Sequence, residues 1–183
     1  AANRCASDRG GGRGLVKASA LACVKEGLSG GVAGDRREAL DGTVKQGEAH
    51  GGQMLGVVTD GSDADAVKAL FAQTREKFGR LDLLFNNAGI GNPPVPLEEL
   101  PLETWKKVVD TNLTGIFVCT QEAIKIMKAQ TPKGGRIINN GSISAHTPRP
   151  RAAAYTATKQ QVTALPKQTA LDCRNDNILC SQI

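Results

Sequence analysis

The amino-acid sequence predicts an α/β protein: a doubly wound parallel sheet with helices on both faces, three layers in all. Three observations predict it. From residue 51 onward, short apolar runs alternate with stretches of helical periodicity, the pattern of successive βα units. The apolar runs show no polar alternation, as expected of strands covered on both faces. Side chains are small: aromatic residues make up 3% of the chain, and Ala, Gly and Val suit a sheet closely covered by helices.

The elements follow in order. Residues 3–8 are polar and do not read as a buried first strand. Gly10, Gly11, Gly12 and Gly14 come next, then an Ala-rich helix over 17–26. Residues 30–34 read as a poor second strand, because glycine weakens strand interiors. Residues 54–59 form an apolar strand. Ser62 and Asp65 then make a capping box for a helix carrying Val67, Leu70, Phe71, Thr74 and Phe78, which Gly79 closes. Residues 81–85 are the next strand, ending in Asn86-Asn87-Ala88-Gly89, with a Pro-rich loop over 92–96. A long helix over 102–129 carries the apolar stripe Trp105, Val108, Val109, Leu113, Ile116, Phe117, Ile124 and Met127. A strand at 136–139, a helix over 152–173 and a strand at 178–180 complete the series.

A chain of 183 residues suits one domain, residues 1–183. The formal net charge is +5, but basic residues alternate with acids, as in Arg75-Glu76-Lys77. No nucleic-acid surface is therefore expected. Five cysteines, an odd number with no Cys-x-x-Cys pair, fit reduced thiols in a cytoplasmic protein. No membrane association is expected.

The chemistry gathers near Tyr155. On a helix, residues four apart share a face, so Tyr155 and Lys159 point the same way. Free tyrosine is too weak an acid to exchange its proton readily at neutral pH. An ammonium about 5 Å away favours the phenolate by roughly 3 kcal/mol at an effective dielectric of 20. A surface tyrosine beside a surface lysine is the alternative that this pair alone leaves open. Ser142 stands thirteen residues before Tyr155, just past a strand. The carboxyl ends of strands are where ligands gather in open α/β sheets. Ser144 is the second candidate there. Asn112 lies on the apolar stripe of the long helix. A buried amide needs partners, so it marks either a wet functional site or an irregular turn.

Taken in order, Asn86-Asn87-Ala88-Gly89, Asn112, Ser142 and Tyr155-x-x-x-Lys159 resemble the short-chain dehydrogenase/reductase family, a Rossmann fold, over roughly residues 10–183. The resemblance implies hydride transfer between a nicotinamide cofactor, NAD(P), and a small alcohol or carbonyl substrate. It makes Tyr155 the general acid/base and Lys159 its partner and a ribose ligand. Ser142 holds the reacting oxygen, and Asn112 keeps a water in a proton relay. Gly10, Arg13, Gly14 and Leu15 belong to the cofactor's glycine-rich turn. Asp60 approaches the adenine, while Asn86, Ala88 and Gly89 shape the adenosine side and brace the sheet. Arg36, with Arg37, leans the cofactor toward NADP, since Asp35 falls one residue late for an acid that binds the ribose hydroxyls. A homodimer or homotetramer is implied, with the helices near Trp105 and Tyr155 at its interface. A non-catalytic nucleotide-binding module is the competing function.

Three departures from the family pattern set further expectations. Val16 stands where the last glycine of the turn belongs, at a cost of ~1–3 kcal/mol through overpacking. Pro166 falls within the predicted 152–173 helix and is expected to kink it at ~3 kcal/mol. The chain is expected to be truncated after its sixth strand, lacking the family's substrate loop and seventh strand. By itself it is expected to be of low stability and without useful turnover.

Overall fold

The computed structural model describes residues 5–9, as backbone, and residues 14–183. Six parallel strands form one sheet in the order β3-β2-β1-β4-β5-β6. They are β1 (Cys5–Arg9), β2 (Ser29–Gly34), β3 (Met54–Val58), β4 (Leu83–Asn86), β5 (Gly135–Asn139) and β6 (Ile178–Gln182). The helices are α1 (Gly14–Lys25), α2 (Arg37–Ala49), α3 (Ala64–Phe78), α4 (Leu102–Val109), α5 (Gly115–Ala129), α6 (Ala153–Val162) and α7 (Ala164–Asp172). The chain winds outward from β1 to β3, then crosses back to β4. That reversal opens a crevice at the carboxyl ends of the strands.

The doubly wound sheet predicted from the sequence is present. Val32 and Ala33 are neighbours on β2, so their side chains point to opposite faces, and both are buried. On one face Val32 joins Val16, Ala20, Val24, Leu40 and Met54 under α1 and α2. On the other face Ala33 joins the larger cluster that includes Val67, Phe71, Ile126, Met127 and Ile137 under α3 and α5.

Several expectations change. The polar segment does form a central strand: Cys5–Arg9 pairs with β2 on one side and β4 on the other. Ladder hydrogen bonds come from the main chain, so strand position does not require apolar side chains. The glycine-rich β2 is a regular buried strand. A Cβ on Gly30 would lie 2.6 Å from Met54 Sδ, and one on Gly47 2.6 Å from Met54 Cγ. These two glycines thus make the slot that Met54 fills, and packing outweighs propensity. Val16 is fully buried within the α1–α2 cluster, which leaves the overpacking expectation as it stood.

Helix ends are also corrected. The cap of α3 is Asp63, whose side chain accepts from the N–H groups of Asp65 and Ala66. Ser62, the expected cap, instead donates its hydroxyl to Asp60. Gly79 ends the helix with φ 74°, as glycine does at this position. Asp63→Ala should cost about 1 kcal/mol of stability, read from denaturant unfolding. A change under a few tenths would mean that the helix does not depend on this cap. The predicted 152–173 helix is two helices that meet at Thr163. Pro166 is the third residue of α7, where its missing N–H breaks no helical bond. It therefore does not strain the turn that carries Tyr155 and Lys159.

The long helix is continuous over 102–129, but Asp110–Thr114 is π-helical. Such segments admit one extra residue per turn and often mark functional sites. Among the described residues, no helix is long and apolar enough to cross a membrane.

Candidate active site

The site is built where β4 and β5 end and α6 passes over them. The Asn140 side chain donates to Asn87 Oδ1 at 2.7 Å, and its backbone N–H donates to Asn86 O at 2.9 Å. This ties the two strand ends together. Its carbonyl then accepts from Lys159 Nζ at 2.6 Å. Lys159 is only 3% exposed, and burial holds its pKa below the usual lysine value. An ammonium has three N–H donors. One is used here, so among the described residues two remain for a ligand or water. Nζ lies 5.8 Å from the centre of the Tyr155 ring, as the four-residue spacing implies.

Asn112 comes from the π-helical segment and is completely buried. Its Oδ1 accepts from Ile90 N at 2.7 Å. Its Nδ2 donates to Ile90 O at 2.9 Å and to Thr158 Oγ1 at 3.1 Å. Both amide donors are therefore committed, and one oxygen lone pair remains. Gly89 lies against this pair: a Cβ there would stand 3.4 Å from Asn112 Oδ1 and 3.6 Å from Lys159 Nζ. A larger residue would crowd both groups.

Ser142 follows β5 and caps the short 3-10 turn Ile143–Ala145, accepting from Ser144 N at 3.1 Å. Its hydroxyl proton remains available to donate. The turn packs on α6, which places Ser142 beside the Tyr155 helix. Ser144 is buried, and its hydroxyl has no partner among the described residues.

The residues expected around a cofactor separate into groups. Asp60, Ala88 and Gly89 line one cavity of about 300 Å³, together with Ala33, Gly34, Asp35, Thr59, Gly61, Ile90, Lys107 and Thr111. Asp60 Oδ1 accepts from both N and Oγ of Ser62, which fixes the carboxylate at the rim. Gly14, with φ 56°, opens α1. Leu15 follows it with an exposed side chain. Gly10 and Arg13 lie outside the described residues. Asn86 is away from the cavity. It is buried in the sheet, where Nδ2 donates to Asn139 Oδ1 at 3.0 Å and Thr120 Oγ1 at 3.3 Å. Arg36 is also off the cavity wall, its Nε 3.7 Å from Asp35 Oδ1.

Sequence reasoning missed Asn140, Thr158, Lys107 and Thr111. Asn140 had a readable signal, since three polar or small residues (139–141) end an apolar strand at its carboxyl end. Thr158 sits inside the Tyr-x-x-x-Lys spacing, but only the fold brings it to Asn112. Lys107 and Thr111 lie one turn apart on a helix distant in sequence from the other cavity residues.

Known proteins share this fold. The short chain dehydrogenase family profile matches residues 9–183. A 3beta-hydroxysteroid dehydrogenase of Mediterraneibacter gnavus is 39% identical over 170 residues, 93% of this chain and 60% of that protein. A 3-oxoacyl-(acyl-carrier-protein) reductase of Synechocystis is 36% identical over 175 residues, covering 95% of this chain and 70% of that one. The crystal structure of acetoin dehydrogenase from Enterobacter cloacae superposes with a TM-score of 0.91 at 31% identity, over 98% of this chain and 71% of that one. The chain thus spans about 60–70% of the length of these relatives. With a family match that covers nearly all of its residues, the chain belongs to the short-chain dehydrogenase family of oxidoreductases.

Proposed function

We propose that the protein transfers a hydride between a nicotinamide dinucleotide and a small alcohol or carbonyl substrate, using Tyr155, Lys159, Ser142 and Asn112. One observation carries this reading: a buried lysine, tied to the end of β5, stands 5.8 Å from the Tyr155 ring with two donors unclaimed. A structural lysine would be expected to find more partners or to reach solvent.

The residues present fit the cofactor. The cavity at the carboxyl ends of β2, β3 and β4 has the size of a small-molecule site and lies at the crossover of the sheet. Asp60, Ala88 and Gly89 form its adenosine side. The first turn of α1, from Gly14 and Leu15, has backbone N–H groups with no partner within the helix, suited to a pyrophosphate. Gly10 and Arg13 precede it in sequence and are proposed as further cofactor ligands. The nicotinamide, when bound, supplies or accepts the hydride.

The chain's own residues manage the proton. In the reductive direction, the Tyr155 hydroxyl donates its proton to the substrate oxygen, and Ser142 donates a hydrogen bond to that same oxygen. Lys159 stabilises the phenolate that remains and holds the ribose with a second N–H. Asn112 holds the long helix against Ile90 and Thr158. Its remaining lone pair is the acceptor available to a relay water, so the relay role is narrower than the resemblance implies. The roles run in reverse for oxidation.

The lining of the cavity supports NAD over the NADP expected from Arg36. Asp35 is on the wall and Arg36 is not. A carboxylate there accepts from ribose hydroxyls and repels a 2′-phosphate. NAD should therefore exceed NADP in kcat/KM by about tenfold or more, one charge-assisted hydrogen bond being worth roughly 1.5–3 kcal/mol. A preference for NADP would return the role to Arg36 and Arg37.

The proposed protein works as a single dinucleotide-binding and catalytic domain in the cytoplasm. It assembles as a homodimer or homotetramer through the helices near Trp105 and Tyr155. Assaying a 3-oxoester, acetoin and a 3-hydroxysteroid with either cofactor tests the activity. A protein that binds cofactor but converts none of a broad panel of alcohols and ketones would be the non-catalytic module instead.

A further inference from the structure

We infer that Asn92 is a positioning residue for Tyr155, supplying from the loop after β4 the helix cap that α6 lacks. This rests on the reading of Tyr155 as the acid/base. Helix α6 starts at Ala153, and its capping position is Ala152, which has no side-chain hydrogen bond to offer. The first N–H groups of a helix have no partner within it, and a Ser, Thr, Asp or Asn at the cap usually meets one of them. Here that group is the N–H of Tyr155, the third residue of α6. It donates to Asn92 Oδ1 at 3.2 Å, across 63 positions in sequence.

The other end of the same amide holds the chain that enters the helix. Asn92 Nδ2 donates to Arg151 O at 3.1 Å and to Pro93 O at 2.8 Å. Arg151 has φ 60°, a left-handed conformation that non-glycine residues adopt only when their surroundings hold them there. Asn92 thus grips both the strained residue before α6 and the backbone of Tyr155 itself. The loop that contains Asn92 also carries Ile90, which clasps the Asn112 amide. One loop therefore fixes Asn112 through its backbone and Tyr155 through a side chain. The direction of the phenol depends on where the first turn of α6 sits, and Asn92 sets that turn.

Three variants of the native protein containing this chain test the inference: Asn92→Ala, Asn92→Asp, and Asn92→Ala combined with Tyr155→Phe. Hydrogen–deuterium exchange reads the first turn of α6 and needs no substrate. Turnover is followed with whichever of ethyl acetoacetate, acetoin or a 3-hydroxysteroid the wild type converts fastest. Asn92→Ala should speed exchange of the Tyr155 amide by about tenfold or more, as expected when a local bond opens. It should lower kcat by about 10–100-fold through misplacement of the phenol, with cofactor Kd within about twofold. Asn92→Asp keeps the acceptor for the Tyr155 N–H but loses the donor to the Arg151 and Pro93 carbonyls, so it should recover the amide protection only in part and give a kcat between those of Asn92→Ala and the wild type. The double variant should lose no more than Tyr155→Phe alone, since both act through one group. If Asn92→Ala does not fold, Asn92→Ser, too short to span both bonds, carries the same expectation.

Unchanged exchange at Tyr155, a kcat within twofold of wild type, or losses that multiply in the double variant would each overturn the inference. Tyr155→Phe with wild-type turnover would instead overturn the reading of Tyr155. The amide exchange would then still report whether Asn92 caps the helix.

Discussion

Tyr155→Phe should lower kcat/KM by about 10²–10⁴-fold, the usual worth of a positioned general acid/base, while cofactor Kd stays within about twofold. The two side chains differ by one hydroxyl. The ring is half-buried on α6, and its packing is kept by phenylalanine. Helix position is also kept, because the contact with Asn92 uses the Tyr155 backbone N–H. Loss of turnover without loss of fold or cofactor would therefore identify the proton as what is missing. Single-turnover measurements with pre-bound cofactor separate this from a binding defect. A variant that retains more than a few per cent of wild-type kcat would remove Tyr155 from the mechanism.

Lys159→Met should abolish turnover to a similar degree, and it should also weaken cofactor binding by about tenfold or more, as expected on losing a charged hydrogen bond to the ribose. That second effect distinguishes it from the tyrosine variant. The consequences for stability run the other way. Burial disfavours the charged lysine and lowers its pKa in the folded protein. Between that lowered value and 10.5 the unfolded chain binds more protons, so wild-type stability rises with pH across this window. Below the folded pKa the protein carries the cost of a buried charge. Lys159→Met removes that cost and lacks the rise. Denaturant unfolding from neutral pH to about pH 10.5, the ordinary lysine value, checks the sign. A wild type that loses stability relative to the variant across that window would show that Lys159 is not held against a desolvation cost. Activity and stability thus oppose each other at this residue, as at many functional sites.

The two ends of helix α6 differ in how readable they were. Tyr155 and Lys159 are four residues apart, and helical geometry alone puts them on one face. What holds Lys159 is Asn140, nineteen residues earlier, and what caps Tyr155 is Asn92. Neither partner is implied by local spacing. Asn112 was legible as an anomaly, a polar residue on an apolar stripe, but its partners Ile90 and Thr158 come from two other segments. The cap of α3 failed at closer range. Ser62 and Asp63 are both good capping residues, and Asp60 decides between them by taking the Ser62 hydroxyl.

The sequence by itself determined the βα alternation, the side-chain periodicity of the helices and the order of the motifs of the proposed site. These depend on repeats of about two and 3.6 residues and on chemistry carried within a few positions. Tertiary structure alone decided that polar Cys5–Arg9 lies at the centre of the sheet, because backbone pairing does not read side chains. It decided that Gly30 and Gly47 are a slot for Met54, because their value lies in the neighbour they admit. It decided that Asp35, rather than Arg36, stands on the cavity wall, since adjacent residues at a strand end point in different directions. Contacts across tens of residues have no local signature, and they are what turn four ordered motifs into one site.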